Sequence, residues 1–509
     1  TLDPVSAANS AERGPRRGVV YAIAASFVRD GMVWCGTDDG LIWLTRDDGA
    51  HWENVTPREL AAWSKVGVIE PSHFDAETAY AAIDRHRLDD VDPHVLRTRD
   101  GGKSWTPIAA GIPSGSYVNV VREDPERAGL LYAGTETGVF VSFDAGDHWQ
   151  SLQANLPNCS IRDIALRRGD VVLATHGRAF WVLDDAGPLR QLDAKSASAD
   201  LWLFAPRAAV RLNPAPFQGT PDPKDEPLAA NPPDGAVLDY VLKTAPATPL
   251  TIEILDARGA VVRRYASDDA EEAPDLQRLV TTPDWSPARR PPPASAGAHR
   301  FVWDLRYETP KALMSRRRRE GGGLWAAPGT YTVRLTAGGR SVQQSLVVSR
   351  DPRIPATDED LARQLELARK IQAERIRVAE AMRKADALRK QIARVSPSSG
   401  SGGPARDALS AFSRELEDAA GPAPDAGEFF DEHSVAPTNL RVIADGLARY
   451  ERTVESADAA PTPDAEKALP QRRAEVEAGL ARWGAFLNEK VPAVNGALRA
   501  AGLPALTLD

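Results

Sequence analysis

Between Val19 and Thr175 the apolar positions keep one rhythm. The runs VVYAIAAS, VGVIEPS, YVNVVRED and SIRDIALR alternate apolar and polar residues with period two, the mark of strands with one buried face. After each run come a polar turn, a second strand, a glycine-bearing turn, a third strand and a short fourth. VWCGTDDGLIWLT from Val33 and LYAGTETGVFVS from Leu131 show the middle pair plainly. Repeated groups of four short strands predict blades of a β-propeller. The absence of steps of three and four excludes a helical solenoid here.

One phrase closes three of these groups: TRDDGAHW (Thr45 to Trp52), TRDGGKSW (Thr98 to Trp105) and SFDAGDHW (Ser142 to Trp149). A fourth group, VLATHGRAFWVLDDAG from Val172, keeps the frame without the glycine and tryptophan of the phrase. The second group carries an insertion inside YAAIDRHRLDDVDPHVLRTRDGGKSW. In each phrase the hydroxyl residue (Thr45, Thr98, Ser142) opens a tight turn. Asp47, Asp100 and Asp144 are expected to accept backbone N–H groups of that turn. Gly49, Gly102 and Gly146 permit its positive φ. Trp52, Trp105 and Trp149 are expected to cover the hairpin with a large apolar face. These carboxylates therefore read as structural rather than catalytic.

Further on the pattern changes twice. ADLWLFAPRAAVRLN is expected to run back across the blades, and residues 213–234 are Pro-rich and read as a linker. AVLDYVLK, LTIEILDARGAVVRRY, HRFVWDLRY and GTYTVRLTAGGRSVQQSLVVS alternate again and predict a small Ig-like or fibronectin-like sandwich over 235–350. RRRREGGG, from Arg316, interrupts it as a surface loop. From Thr357 the period becomes helical, with Thr357 and Asp360 spaced nearly as a capping box. The helix runs to about Val395, where SPSSGSGGP breaks it. Leu409, Phe412 and Leu416 form one stripe, Leu440, Ile443, Leu447, Tyr450 and Val454 a second, and Val476, Leu480, Trp483 and Leu487 a third. They predict an antiparallel helical bundle over 356–509. The expected fold class is multidomain and mainly β: four blades over 1–195, a crossing segment and linker over 196–234, a sandwich, then a bundle.

The 509 residues leave room for two to four domains. The net charge of −9, with both signs mixed, argues against nucleic acid as a partner. No apolar run is long enough to span a bilayer. Cys35 and Cys159 read as two separate thiols. No phosphate loop, zinc spacing, Glu-x-x-His pair or Ser-His-Asp signature stands out, and His73, His86, His94 and His176 are scattered. No metal or cofactor is expected.

The phrase S/T-x-D-x-G-x-x-W resembles the Asp-box of sialidases, xyloglucanases and sortilin-type receptors. GTDDG, SHFDAETAY, REDPERAGLLYAGTETGVFVS, ATHGRAFWVLDD, VWDLRY and APGTYTVRL extend the likeness along nearly the whole chain. The whole is similar to bacterial BNR-repeat, "glycosyl hydrolase"-like proteins of the sortilin N-terminal type, and the sandwich resembles the flagellar hook-capping type. The resemblance implies a periplasmic or secreted location. It also implies relatives with more blades ahead of this point, and a loop like Thr1-Leu2-Asp3-Pro4 between blades. Three well-formed blades and a degenerate one do not close a ring. The expectation is a C-terminal part whose missing blades come from a separate or cleaved N-terminal chain.

Hairpins of one blade point alternately to its two ends. The box sits between the third and fourth strands, so the turn between the second and third lies at the opposite end, with the connections between blades. That end presents Asp38 and Asp39 from the first group, and Asp84, Arg85, His86, Arg87, Asp89 and Asp90 from the insertion. Glu136 comes from the third group and His176 and Arg178 from the fourth, with Trp63 in a connection. Two functions stay open. One is a scaffold that binds a glycan or peptide on this face. The other is a glycoside hydrolase using Asp38, Asp39 or Asp84, which requires two carboxyls flanking a groove. The arginine triad of a sialidase is absent, with only Arg178 and Arg122 in reach.

Overall fold

The computed structural model describes residues 18–213, 229, 231–271, 276, 282, 290–314, 323–395, 403–422 and 436–508. The Thr1-Leu2-Asp3-Pro4 stretch, most of the Pro-rich segment and all but the last glycine of RRRREGGG lie outside the described residues. The chain divides into two compact units, Thr1–Ala197 and Ser198–Asp509.

In the first unit, four antiparallel meanders follow one another. The first is β1 (Val20–Ala25), β2 (Val33–Thr37), β3 (Ile42–Thr45) and β4 (Glu53–Asn54). The second is β5 (Lys65–Pro71), β6 (Ala79–Asp84), β7 (His94–Thr98) and β8 (Thr106–Pro107). The third is β9 (Val118–Glu123), β10 (Leu131–Thr135), β11 (Val139–Ser142) and β12 (Gln150–Ser151). The fourth has β13 (Ile161–Arg167), β14 (Asp170–Thr175) and β15 (Phe180–Leu183). It lacks the box, and no fourth strand follows among the described residues. Instead Asp185, with φ +60°, accepts the Gly187 N–H and starts the short helix α1 (Gly187–Gln191), which α2 (Ala194–Ser198) follows.

Successive meanders pack face to face, and the period-two alternation supplies the cores. Trp34, Ile42 and Leu44 meet Val66, Ile69 and Ile83. Ala82 and Val95 meet Val118, Leu131 and Phe140. Tyr132 and Val141 meet Ile161, Ile164 and Leu173. Ion pairs stitch the same seams: Arg46–Glu77 at 3.2 Å, Arg97–Asp147 at 2.9 Å, and Arg122 with Glu70 at 3.1 Å and Asp163 at 2.8 Å. Arg122 is thus a tie between sheets. Among the described residues, the first and fourth meanders expose apolar side chains. Tyr21 and Ile23 are 57% and 74% exposed on the first meander, and Phe180 and Val182 are 76% and 52% exposed on the fourth.

The second unit begins earlier than the pattern suggested. The crossing segment expected in ADLWLFAPRAAVRLN is instead two strands of this unit, β16 (Leu201–Leu203) and β17 (Ala209–Arg211). Leu201, Leu203 and Ala209 bury their side chains in its core, which is what holds the segment there. β16 pairs with β18 (Ala236–Leu242), which pairs with β21 (Gly297–Trp303). A second sheet contains β19 (Thr251–Leu255), β20 (Val261–Ala266), β22 (Gly329–Ala337) and β23 (Arg340–Arg350), with β17 joined parallel to β23. Trp303, Tyr240, Ile254 and Leu335 fill the space between the sheets.

Four helices follow: α3 (Asp358–Val395), α4 (Pro404–Ala420), α5 (Leu440–Val454) and α6 (Pro463–Ala500). Thr357 and Asp360 cap α3 reciprocally at 3.1 and 3.0 Å. Thr462 caps α6 ahead of Pro463, which suits the first helical turn. Leu388, Phe412, Leu447 and Trp483 share one core. Arg211, 1% exposed, ties sheet to helices: it donates to Ala326 O, Gln364 Oε1 and Asp458 Oδ1 at 3.0, 2.9 and 2.7 Å. No helix among the described residues is long and apolar enough to cross a membrane.

Candidate functional site

The three boxes are built alike. The Thr45, Thr98 and Ser142 hydroxyls donate to Asp47, Asp100 and Asp144 at 2.9, 2.9 and 2.8 Å. The same hydroxyls accept from the N–H of Gly49, Gly102 and Gly146 at 3.0, 2.9 and 2.9 Å. Each carboxylate then accepts the N–H four residues on, from His51, Ser104 and His148, at 2.9 Å. Bonded to His51 through side chain and backbone, Asp47 is held down at about 2. All of these acceptor bonds lie within the turn.

The tryptophans do something the local pattern did not suggest. Trp105 Nε1 donates to Val55 O at 2.8 Å and Trp149 Nε1 to Ile108 O at 2.6 Å. Val55 and Ile108 each follow the last strand of the preceding meander. Gly102, at φ +84°, and Gly146, at φ +95°, lie against the same two side chains. A Cβ on Gly102 would sit 2.6 Å from Val55 Cβ, and one on Gly146 2.4 Å from Ile108 Cδ1. The box tryptophan therefore seals a junction between sheets and does not merely cover its own hairpin. Trp52 has no such acceptor among the described residues and is 43% exposed.

At the opposite end, a ladder irregularity recurs at the start of the first strand of every meander. The ladders step over Tyr21, Gly67, Asn119 and Arg162. Such bulges twist a strand and re-aim the residue they carry. Around them runs an unbroken polar series. Lys65 Nζ lies 3.8 Å from the Tyr21 ring centroid and 3.8 Å from Asp84 Oδ2. Asp84 meets His86 Nδ1 at 2.5 Å, and the His86 ring stacks on Tyr117 at 4.9 Å. The Tyr117 hydroxyl acts on the Glu136 carboxyl, which accepts from Ser160 at 2.7 Å and pairs with Arg162 at 3.3 Å. Arg162 reaches Asn119 Oδ1 at 3.4 Å and His176 Nδ1 at 3.5 Å. The series links all four meanders. Burial raises the Glu136 carboxyl, but Ser160, Tyr117 and Arg162 outweigh it and leave it below the usual carboxylate range. Burial and that neighbouring charge push the Tyr117 hydroxyl up.

The structure brings Asp84, His86, Glu136 and His176 of the expected residues into this series. Asp38 Oδ1 accepts from Val19 N at 2.7 Å, and Asp39 Oδ1 from Thr37 Oγ1 at 2.5 Å. Trp63, with φ +69°, donates its N–H to Asp39 O at 2.8 Å. Within the insertion, Asp90 Oδ2 takes Arg85 Nη1 and His94 Nε2, each at 3.0 Å, so these three groups close on themselves. Arg87 and Asp89 are exposed, with Asp89 at φ +57° ending a single turn. Arg178 is exposed too, and its backbone N–H donates to Thr175. Sequence reasoning missed Tyr21, Lys65, Tyr117, Asn119, Ser160 and Arg162. Their signal was position: each stands at the entry to a first strand, where a connection arrives. Among the described residues, no three His, Cys, Asp or Glu side chains gather to hold a metal ion. Cys35 and Cys159 are free thiols, each raised by burial.

No family model matches the chain, and no curated protein matches it. Several solved structures are similar in part. One is YCF48 from Cyanidioschyzon merolae, with 17% identity over 34% of this chain and 55% of that chain, at a TM-score of 0.26. Another is an ancestral GH74 enzyme, with 17% identity over 52% of this chain and 35% of that one, at 0.28. A third is PorZ, a surface component of the type-IX secretion system of Porphyromonas gingivalis, with 12% identity over 65% and 45%, at 0.27. The matched region thus spans about half of the YCF48 chain and about a third of the GH74 chain.

Proposed function

We propose that residues 18–197 are blades of an Asp-box β-propeller and that the polar series at their bulged end binds an extended peptide carrying both charge signs. The unbroken run from Tyr21 through Lys65, Asp84, His86, Tyr117 and Glu136 to Arg162 carries this reading. It crosses four sheets and alternates in sign, so a ligand laid across the sheets meets complementary charges in turn. Its aromatic rings would also suit a glycan, the other class that such a face takes. We read the second unit as an Ig-like sandwich braced by its helical bundle, together a scaffold, and the protein as periplasmic or secreted.

The hydrolase reading is weaker on geometry. A glycosidase acid and its partner must both face one groove. Asp38 instead accepts from the Val19 N–H and Asp39 from the Thr37 hydroxyl, and Asp84, 8% exposed, is engaged by His86 and Lys65. The exposed apolar side chains of the first meander, with no carbonyl acceptor for Trp52 among the described residues, support completion of the ring by further blades.

Peptide and glycan arrays probed with the chain, then with Glu136→Gln and Arg162→Ala, test the site. Binders lost about tenfold in both variants are expected. Binders indifferent to both overturn the site, and glycan binders alone overturn the peptide. Native mass spectrometry of the protein from its source tests completion. Further blades, on a second polypeptide at one-to-one or on a longer form of this chain, are the expected result, and a lone monodisperse chain of this mass refutes it.

A further inference from the structure

A cavity of about 410 Å³ lies between the two-sheet body and the helices of the second unit. One wall is α5, with Ala448, Glu451 and Arg452, and Glu455 just past its end. A second is α3, with Gln372 and Arg375. The third comes from the sheet side and includes Arg306, Leu324 and Trp325. Its volume falls at the lower end of the range for small-molecule sites, which favour junctions of this kind.

The wall is charged in both signs, and the charges are not fully matched to one another. Glu451 is 8% exposed, and Arg375 pairs with its Oε1. Its Oε2 is buried with no hydrogen-bond partner among the described residues. A buried acceptor without a donor is costly, and a charged one more so. Glu455 stands one turn away and spends Oε1 on the Trp325 N–H at 3.0 Å. On the other side, Arg306 Cζ lies 3.7 Å from the Trp325 ring centroid, and Arg306 donates to Gly323 O at 3.0 Å. Arg452 is exposed at the rim, with no ion pair among the described residues.

We propose that this cavity binds a small zwitterion of amino-acid or dipeptide size. Its ammonium donates to the Glu451 carboxylate, which turns Oε2 toward the cavity to receive it, and its carboxylate lies toward Arg452 and Arg306. An ammonium supplies the donor that Glu451 Oε2 lacks and adds positive charge beside two neighbouring carboxyls, of which Arg375 already pairs one. A bare amine would be repelled by three guanidinium groups, and a bare acid would leave Glu451 Oε2 unmet. Leu324 and Ala448 offer apolar surface to the ligand's side chain. The state of Glu451 agrees: burial pushes its carboxyl up to about 7, Arg375 opposing and Glu455 adding to the rise.

The test is calorimetric titration of the whole chain with the twenty free amino acids and Ala-Ala, each best binder paired with its decarboxylated amine and deaminated acid. A single site is expected, with the zwitterion at least tenfold tighter than either one-ended analogue. Glu451→Gln keeps the shape and removes the charge, and should weaken binding at least tenfold. Arg452→Ala, at the exposed rim, should bind the zwitterion more weakly and the amine at least as well as the native chain does. Repeating the titration at pH 7 in buffers of different ionisation enthalpy should show release of up to about half a proton, because the ammonium favours the carboxylate. The proposal is overturned if no probe binds below millimolar concentration, if an analogue binds as tightly, or if binding at pH 7 releases no proton. A melting curve of Glu451→Gln matching that of the native chain shows that any loss is not unfolding. If that variant melts early, the analogue and proton-release results on the native chain decide.

Discussion

Replacing Trp149 by alanine, and separately Trp52, tests whether the box tryptophan is a tie between neighbouring sheets. Trp149 is 5% exposed and belongs to the core between the second and third meanders. Emptying such a site costs about 3–5 kcal/mol. The Ile108 carbonyl, which Trp149 Nε1 meets at 2.6 Å, then loses its donor, adding about 1 kcal/mol. Trp52 has the same place in the motif but is 43% exposed. Its removal should cost about 1 kcal/mol or less. For a unit of this size each kcal/mol moves the melting temperature by about 2–4 °C. Trp149→Ala should therefore lower the transition of the first unit by roughly 10–20 °C, and Trp52→Ala by less than about 4 °C. Scanning calorimetry reads the shift, and amide exchange in Val118–Glu123 assigns the transition to this unit. Equal shifts for the two variants would refute the reasoning, since they would make the tryptophan's value a property of its own hairpin. A shift below about 4 °C for Trp149→Ala would refute it as well.

Gly102→Ala meets both a left-handed backbone at φ +84° and the Val55 side chain, and should destabilise the same unit by about 2–4 kcal/mol in urea titration. Asp47 carries a depressed pKa of about 2, so its contribution is present above the unfolded carboxylate value and is lost as pH falls through about 2. Asp47→Asn should therefore flatten the acid limb of the melting profile, and an unchanged limb counts against the His51 contact. Glu451 has the opposite sign: with its pKa raised to about 7, folding loses stability as pH rises from the unfolded value toward 7. Glu451→Gln should thus gain relative stability at pH 8 over pH 5, read as the difference in melting temperature. Tyr117→Phe keeps the stack on His86 and removes the hydroxyl that helps hold the Glu136 carboxyl down, so that carboxyl should titrate higher by NMR.

What could be read along the chain was whatever a single repeat contains. Thr45, Asp47 and Gly49 bond to one another, so their eight-residue phrase carried its own turn. Thr357 and Asp360 cap α3 across three residues, and the stripe from Leu440 to Val454 lies on one helix. Relations between repeats were not legible. Trp105 meets a carbonyl fifty residues earlier, and nothing near Val55 announces it, because any residue supplies a backbone oxygen. The four bulges hid for the same reason. Tyr21, Gly67, Asn119 and Arg162 have no chemistry in common, and what they share is a step in backbone register. β16 and β17, three residues each, are too short to show a period, and their hydrogen-bond partners are distant in sequence.

The charged insertion shows the limit from the other direction. Asp84, Arg85, His86, Arg87, Asp89 and Asp90 stood out together as a polar cluster. Folding separates them: Asp90 turns inward to Arg85 and His94, Arg87 and Asp89 face water, and only Asp84 and His86 join the series that crosses the sheets. Composition marked this loop, but which of its charges join the series was decided by partners outside it. Lys65 and Tyr117 are those partners, one supplied by the strand before the loop and one by the sheet after it. A site built this way belongs to the packing of successive sheets and to no one repeat. Substitutions that loosen the packing, such as Gly102→Ala, should therefore weaken binding at the far end as well as lower stability, whereas Arg87→Ala should do neither.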